Sequence, residues 1–150
     1  MRNVLFDKEV TIYTDGACKN NPGPGGWAAI LMCDSKEKII TGYESHTTNN
    51  RMELLSVINA LNSLKSSCKV KLYTDSQYVK NGITTWLPTW RIKNWRTSSG
   101  AAVKNQDLWE ILDLIVKKHD VSWYWVKAHN GHLLNERVDF LARQAIKCDK

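Results

Sequence analysis

The chain has 150 residues, 43% of them hydrophobic and 24% charged, enough apolar material for the core of one ordinary domain. It carries a formal charge of +6, holds no low-complexity tract, and has no apolar run of membrane-spanning length. Met1 to Asp7 lacks the long apolar core of a secretory signal, so the expected setting is the cytoplasm, or an organelle interior reached another way.

The placement of charge says more than its size. Residues 1–75 hold 9 basic and 8 acidic side chains, whereas residues 76–150 hold 12 basic and 7 acidic. The excess therefore sits in the second half and suits a polyanionic partner. The four cysteines (Cys18, Cys33, Cys68 and Cys148) are scattered and form no C-x-x-C, which reads as reduced thiols, neither a zinc site nor a disulfide framework.

Taken in order, Val10 to Thr14 alternates as a first strand and ends on Asp15. Asn20 to Gly26 is so dense in Pro and Gly that it reads as a loop, leading into a second strand at Trp27–Met32. A third strand follows from about Lys36 to Ser45. No helix fits between these three, so they should run antiparallel. From Thr47 to Ser63 the period changes: Leu54, Val57, Ile58, Leu61 and Leu64 recur at helical spacing with one buried stripe. Asn50 followed three residues later by Glu53 has the form of a capping box. Glu53 also leans toward the sheet-facing side, a poor place for a carboxylate with a structural task alone, and both readings stand on the residues themselves.

Val70–Thr74 is a fourth strand, reached by a helical crossover and hence parallel to the first. It repeats the earlier run: Ile12-Tyr13-Thr14-Asp15-Gly16 is echoed sixty residues later by Leu72-Tyr73-Thr74-Asp75-Ser76. Adjacent parallel strands would bring both aspartates to one end of the sheet, where open α/β sheets place ligands. Two close like charges are costly without a cation between them, so a matched pair favours a bound metal over two independent turn residues.

A helix starts after Asp75. From Lys80 to Lys104 the chain has Lys80, Arg91, Lys93, Arg96 and Lys104, no acid, and Trp86, Trp90 and Trp95, with Pro88 predicting a helix break. Cations interleaved with aromatics suit a groove that tracks a phosphate backbone, although the tryptophans would equally pack the segment onto the body. A further helix begins at Asn105 and presents Leu108, Trp109, Leu112 and Ile115 on its apolar side. A last strand spans Val121–Val126, the polar loop Lys127–His132 follows, and a final helix runs from about Asn135 to Ile146. The count gives an α/β domain with a five-stranded mixed sheet, three antiparallel strands and then two parallel ones, flanked by helices.

The residues that carry a resemblance are Tyr13-Thr14-Asp15-Gly16, Asn21-Pro22-Gly23-Pro24-Gly25-Gly26, Thr48-Asn49-Asn50-Arg51-Met52-Glu53, Tyr73-Thr74-Asp75-Ser76-Gln77-Tyr78-Val79, Asp107-Leu108-Trp109 and His129-x-Gly131-His132-x-x-Asn135-Glu136-Arg137-x-Asp139. In this order they resemble ribonuclease H type 1, in its bacterial form with a basic protrusion. The resemblance implies that residues 1–150 are a single ribonuclease H domain with its strands side by side in the order three, two, one, four, five. It also implies endonucleolytic hydrolysis of the RNA strand of RNA–DNA hybrids, leaving 5′-phosphate and 3′-hydroxyl ends.

By the same resemblance Asp15, Glu53, Asp75 and Asp139 match the metal ligands, for two Mg²⁺ ions with Mn²⁺ as a substitute, and His129 matches an assisting histidine. Asn21, Asn50 and Gln77 match contacts to the RNA strand, and Thr48 matches part of a phosphate pocket for the DNA strand. The segment with Lys80, Trp86, Trp90, Arg91, Lys93, Trp95, Arg96 and Lys104 matches the protrusion that grips the hybrid. Ala128 departs from the glycine usual before the histidine. The chemistry agrees with the residue types: hard divalent ions take carboxylate and water oxygens, and no soft ligand set is present. The expected partner is an RNA–DNA hybrid, with no membrane, and a monomer is the default. The same fold also serves DNA nucleases and strand-transfer enzymes, and a non-catalytic hybrid-binding module is a third reading. Four intact acids argue against the last, since binding a polyanion gains nothing from them.

Overall fold

The computed structural model describes residues 8–97, 99–127 and 132–146. Five strands, β1 (Glu9–Cys18), β2 (Gly23–Cys33), β3 (Lys36–Thr47), β4 (Lys69–Thr74) and β5 (Asp120–Trp125), form one sheet in the order β3-β2-β1-β4-β5. The first three are antiparallel, while β4 runs parallel to β1 and β5 parallel to β4. Helix α1 (Asn49–Asn62) makes the crossover to β4. After β4 come α2 (Gln77–Asn81), a π-helical turn at Gly82–Trp86, α3 (Leu87–Ile92) and α4 (Gln106–Val116), and α5 (Leu133–Ala145) closes the chain.

Strand alternation divides the core between the two faces of the sheet. Ile12, Val70 and Leu72 join Leu54, Val57, Leu61, Trp109 and Leu112 beneath α1 and α4. Tyr13 and Ile30 instead meet Val138 and Ala142 of α5. On that second side Tyr13, Tyr73 and Tyr124 stack across three adjacent strands, with ring centroids 4.5 and 4.9 Å apart.

Four local expectations change. Strand β1 does not end before Asp15 but continues to Cys18, because β2 pairs with it throughout (Asp15 opposite Ala28, Cys18 opposite Gly25). For the same reason Gly23–Gly26 is strand rather than loop: partners on both sides hold a glycine-rich run extended, and the turn shrinks to residues 19–22. Helix α1 begins earlier than a capping box at Asn50 requires. Its N-cap is Thr48, whose hydroxyl accepts from the Arg51 N–H at 3.2 Å, so Glu53 does not serve as a capping-box partner. Finally, Pro88 interrupts nothing. It falls in the first turn of α3, where a missing N–H is harmless, after the π-helical turn has reset the hydrogen bonding. That turn wraps the buried Trp109 indole, which approaches Gly82 so closely that a Cβ there would lie 1.9 Å from the ring.

Among the described residues no helix is long and apolar enough to cross a membrane. Cys18, Cys33 and Cys68 are free thiols.

Candidate metal centre and nucleic-acid face

The parallel register explains the echo in the sequence. β1 and β4 pair with a constant offset of sixty, Glu9 with Lys69 through Tyr13 with Tyr73, so Asp15 and Asp75 leave the ladder at the same level. Asp75 follows the last residue of β4, where Thr74 Oγ1 accepts from the Ser76 N–H and Ser76 caps α2. Glu53 comes to the same place from α1, which crosses β1 at Gly16. A Cβ on Gly16 would stand 2.5 Å from the Glu53 nitrogen, so only glycine lets helix and strand approach this closely.

The carboxylate oxygens of Asp15, Glu53 and Asp75 lie within 4.8 Å of one another. Asp15 is 4% exposed and Glu53 6%. One Asp15 oxygen accepts from the Gly16 N–H at 2.9 Å. Glu53 Oε1 is buried with no hydrogen-bond partner among the described residues. Burial first, then the charge of Asp75 and the hydrogen bond and charge of Asp139, push the Asp15 carboxyl up to about 8, against the pull of the Gly16 N–H. Burial, with the charges of Asp15 and Asp75, holds Glu53 well above the ordinary carboxylate range. Asp139 on α5 stands beside Asp15 and also pairs with Arg143 one turn on, at 3.2 Å.

Three close carboxylates, two of them buried and one half-buried, fit a divalent cation: the donors are all hard oxygens, and Glu53 Oε1 has no hydrogen-bond partner among the described residues. The residues present can therefore hold such an ion.

Around this centre Asn21, Asn50 and Gln77 are exposed. Asn21 Oδ1 accepts from the Asn49 N–H at 2.9 Å, tying the 19–22 turn to the start of α1 and leaving its amide NH₂ to donate outward. Beside Thr48, Arg51 is held by Asn105 Oδ1 at 3.1 Å and by both oxygens of Asp107. Asn105 sits at the N-cap of α4 in a left-handed conformation. Its side chain does not cap the helix but reaches Arg51 and the Tyr78 hydroxyl. No spacing in the sequence linked Arg51 to Asn105.

The basic segment divides. Lys93, Arg96 and Lys104 are exposed and Lys80 is half-buried, but the Arg91 guanidinium is engaged by Asp113, an acid of α4 whose side chain is 12% exposed. Trp86, Trp90 and Trp95 are half-buried against the main core, in an aromatic run that continues through Tyr78 and Trp109. They fasten the segment to the body. His129 lies outside the described residues. His132, given no role by the sequence, stands at the N-cap position of α5 and brings Nε2 to 3.4 Å from the Tyr13 hydroxyl.

A family model described as RNase H matches residues 7–147. The chain belongs to the RNase H family. It is 62% identical over 140 residues to the ribonuclease H of Hahella chejuensis, covering 93% of this chain and 95% of that one. With the ribonuclease H of Cupriavidus necator the identity is 54% over 140 residues, covering 93% and 97%. Among solved structures, LC9-RNase H1, a type 1 RNase H with the type 2 active-site motif, matches with a TM-score of 0.86 at 32% identity, over 97% of this chain and 74% of that one. Membership together with the acidic metal-binding cluster makes this chain a hydrolase of the RNA strand of RNA–DNA hybrids.

Proposed function

We propose that cleavage is endonucleolytic, leaves 5′-phosphate and 3′-hydroxyl ends, and depends on two divalent ions held by Asp15, Glu53, Asp75 and Asp139. The observation that carries this is the triad of carboxylates within 4.8 Å, Asp15 and Glu53 buried and Asp75 half-buried, with Glu53 Oε1 unpartnered among the described residues. Two Mg²⁺ ions, or Mn²⁺ in their place, supply when bound an activated water and neutralise charge on the phosphoryl and leaving oxygens. The protein's part is to hold the carboxylates close together and out of water, where a cation is what would keep them ionised against their own repulsion.

Asp139, on α5 beside Asp15 and paired with Arg143, completes the set of four. His129 moves a proton or positions water during turnover and product release, a role open to an imidazole near neutral pH. Asn21, Asn50 and Gln77 read the RNA strand through its 2′-hydroxyls, the group that separates RNA from DNA. Thr48, at the N-terminus of the 14-residue α1, takes a phosphate of the DNA strand with the helix dipole behind it. Lys80, Lys93, Arg96 and Lys104 hold the hybrid through its backbone, so sequence preference is weak. Trp86, Trp90 and Trp95 support them and offer their outer edges to the substrate.

The test is a comparison of an RNA–DNA hybrid, duplex DNA and a four-way junction, each with Mg²⁺ and with Asp75→Asn as control. The hybrid alone should be cut, in its RNA strand, and the variant should be inactive. Cleavage of duplex or junction, or an active Asp75→Asn, would overturn the proposal.

A further inference from the structure

Tyr13 and Tyr73 belong to the sequence echo, yet holding a cation does not use them. Tyr13 stands two positions before Asp15 on β1, so strand alternation puts both side chains on the face of the sheet that α5 covers. Across the parallel ladder its ring lies flat on that of Tyr73, with centroids 4.5 Å apart and planes 7° from parallel. His132, at the N-cap position of α5, leans over the pair, its centroid 5.3 Å from Tyr13 and 6.1 Å from Tyr73. Its Nε2 shares the 3.4 Å hydrogen bond with the Tyr13 hydroxyl, and its Nδ1 is buried without a partner among the described residues.

The four acids are not held alike. Asp15 is fixed in the β1–β2 ladder, Asp75 follows β4 directly, and Glu53 rides on α1, which is pressed against β1 at Gly16. Asp139 alone comes from α5, whose buried packing on the sheet is the small cluster of Tyr13, Ala28, Ile30, Val138 and Ala142. The ion pair of Arg137 with Glu37 also ties α5 down, but it is solvent-exposed and worth little. His132 and Asp139 are seven residues apart, two turns, and so share one side of the helix. One end of that side is joined to Tyr13, and the other stands beside Asp15, two residues further along the same strand.

We propose that His132 is a positioning residue: through the Tyr13 hydroxyl and the two tyrosine rings it fixes the start of α5 on the sheet, and thereby sets where the Asp139 carboxylate meets those of Asp15 and Asp75. The inference rests on the reading of Asp139 as a metal ligand. It gives the imidazole no direct part in the reaction, since one ring nitrogen faces Tyr13 and the other is buried. Without the anchor, α5 keeps its apolar contacts through Val138 and Ala142. The helix then stays folded while its first turns gain freedom, and a ligand no longer held in place costs metal affinity.

Binding of Mn²⁺ alone to the full chain, followed by electron paramagnetic resonance of the free ion, tests this without relying on activity. Titrations are made well below each variant's melting temperature, so that every protein is folded. His132→Ala should weaken binding by about three- to tenfold, less than the usual cost of removing a group bonded directly to a ligand. Tyr13→Phe, which keeps the stacked ring and loses only the hydroxyl, should do the same. In an Asp139→Asn background neither substitution should weaken binding further, because both act through Asp139. Wild-type affinity in either single variant would overturn the proposal. So would an equal loss with and without Asp139, which would make the pair a general support of the fold. Failure of the wild type to bind Mn²⁺, or undiminished binding by Asp15→Asn, would overturn the four-acid reading itself, and this proposal with it.

Discussion

Asp15 in the metal-free protein is an acid held against its preference. Its carboxyl titrates near 3.8 when exposed and is pushed up to about 8 in the folded chain by burial and by Asp75 and Asp139. The folded state therefore binds the proton more tightly than the unfolded one. That contribution to stability is full below pH 4 and is lost as pH rises from about 4 to 8. In EDTA, urea midpoints should fall across this window. Asp15→Asn, which cannot ionise, should flatten the decline and be the more stable protein at pH 8, by up to a few kcal/mol. Saturating Mg²⁺ should stabilise the wild type and narrow the gap. A wild type more stable than Asp15→Asn at pH 8 in EDTA would mean that the triad is balanced by something other than a cation. The same substitution should remove activity almost entirely, whereas His129→Ala should slow single-turnover cleavage by roughly one to two orders of magnitude, the range of a proton-transfer group. If His129→Ala were as inactive as Asp15→Asn, the histidine would have a larger part than the one assigned to it.

At the scale of elements, the basic segment is fixed by contacts that point inward. Arg91 joins α3 to Asp113 of α4, and Lys117 stands 4.0 Å from the same carboxylate. Arg91→Ala would leave a nearly buried acid with one distant partner, and should lower stability by about 1–2 kcal/mol in urea melts. Lys93→Ala, exposed and unpaired among the described residues, should not change the midpoint. This division was invisible in the sequence, where Arg91, Lys93 and Arg96 look alike, because the deciding residue lies twenty-two positions away on another helix. The strand echo was legible for the opposite reason: a parallel ladder with a fixed offset prints the same residue pattern twice. Glu53 was half legible. A capping box and a ligand both put an acid in the first turns of a helix, and only the register set by Thr48 tells them apart. Gly23–Gly26 misled because local Pro and Gly content says loop, while pairing on both sides says strand. Nothing local connects Arg51 to Asn105, or Glu37 to Arg137 across a hundred residues, since contacts of that range exist only once the sheet has formed.

For the whole molecule, the question is how a protein with its most buried acids at one site holds a polyanion there. Carboxylates alone would repel the phosphate backbone, so affinity has to come from cations elsewhere on the same face and from the ions the acids retain. Lys93, Arg96 and Lys104 are the exposed cations in the segment between α2 and α4 that remain outside any ion pair among the described residues. Binding of a hybrid to the inactive Asp75→Asn protein should weaken steeply with salt. A Lys93→Ala/Arg96→Ala/Lys104→Ala variant should flatten the slope of log Kd against log salt by about one for each phosphate that is no longer neutralised. Arg91→Ala, compared at equal folded fraction, should leave that slope nearly unchanged, because its guanidinium is already committed to Asp113. If the triple variant kept the wild-type slope, these three cations would not touch the hybrid, and the attraction would have to arise elsewhere, from Lys80 or from the α1 N-terminus at Thr48.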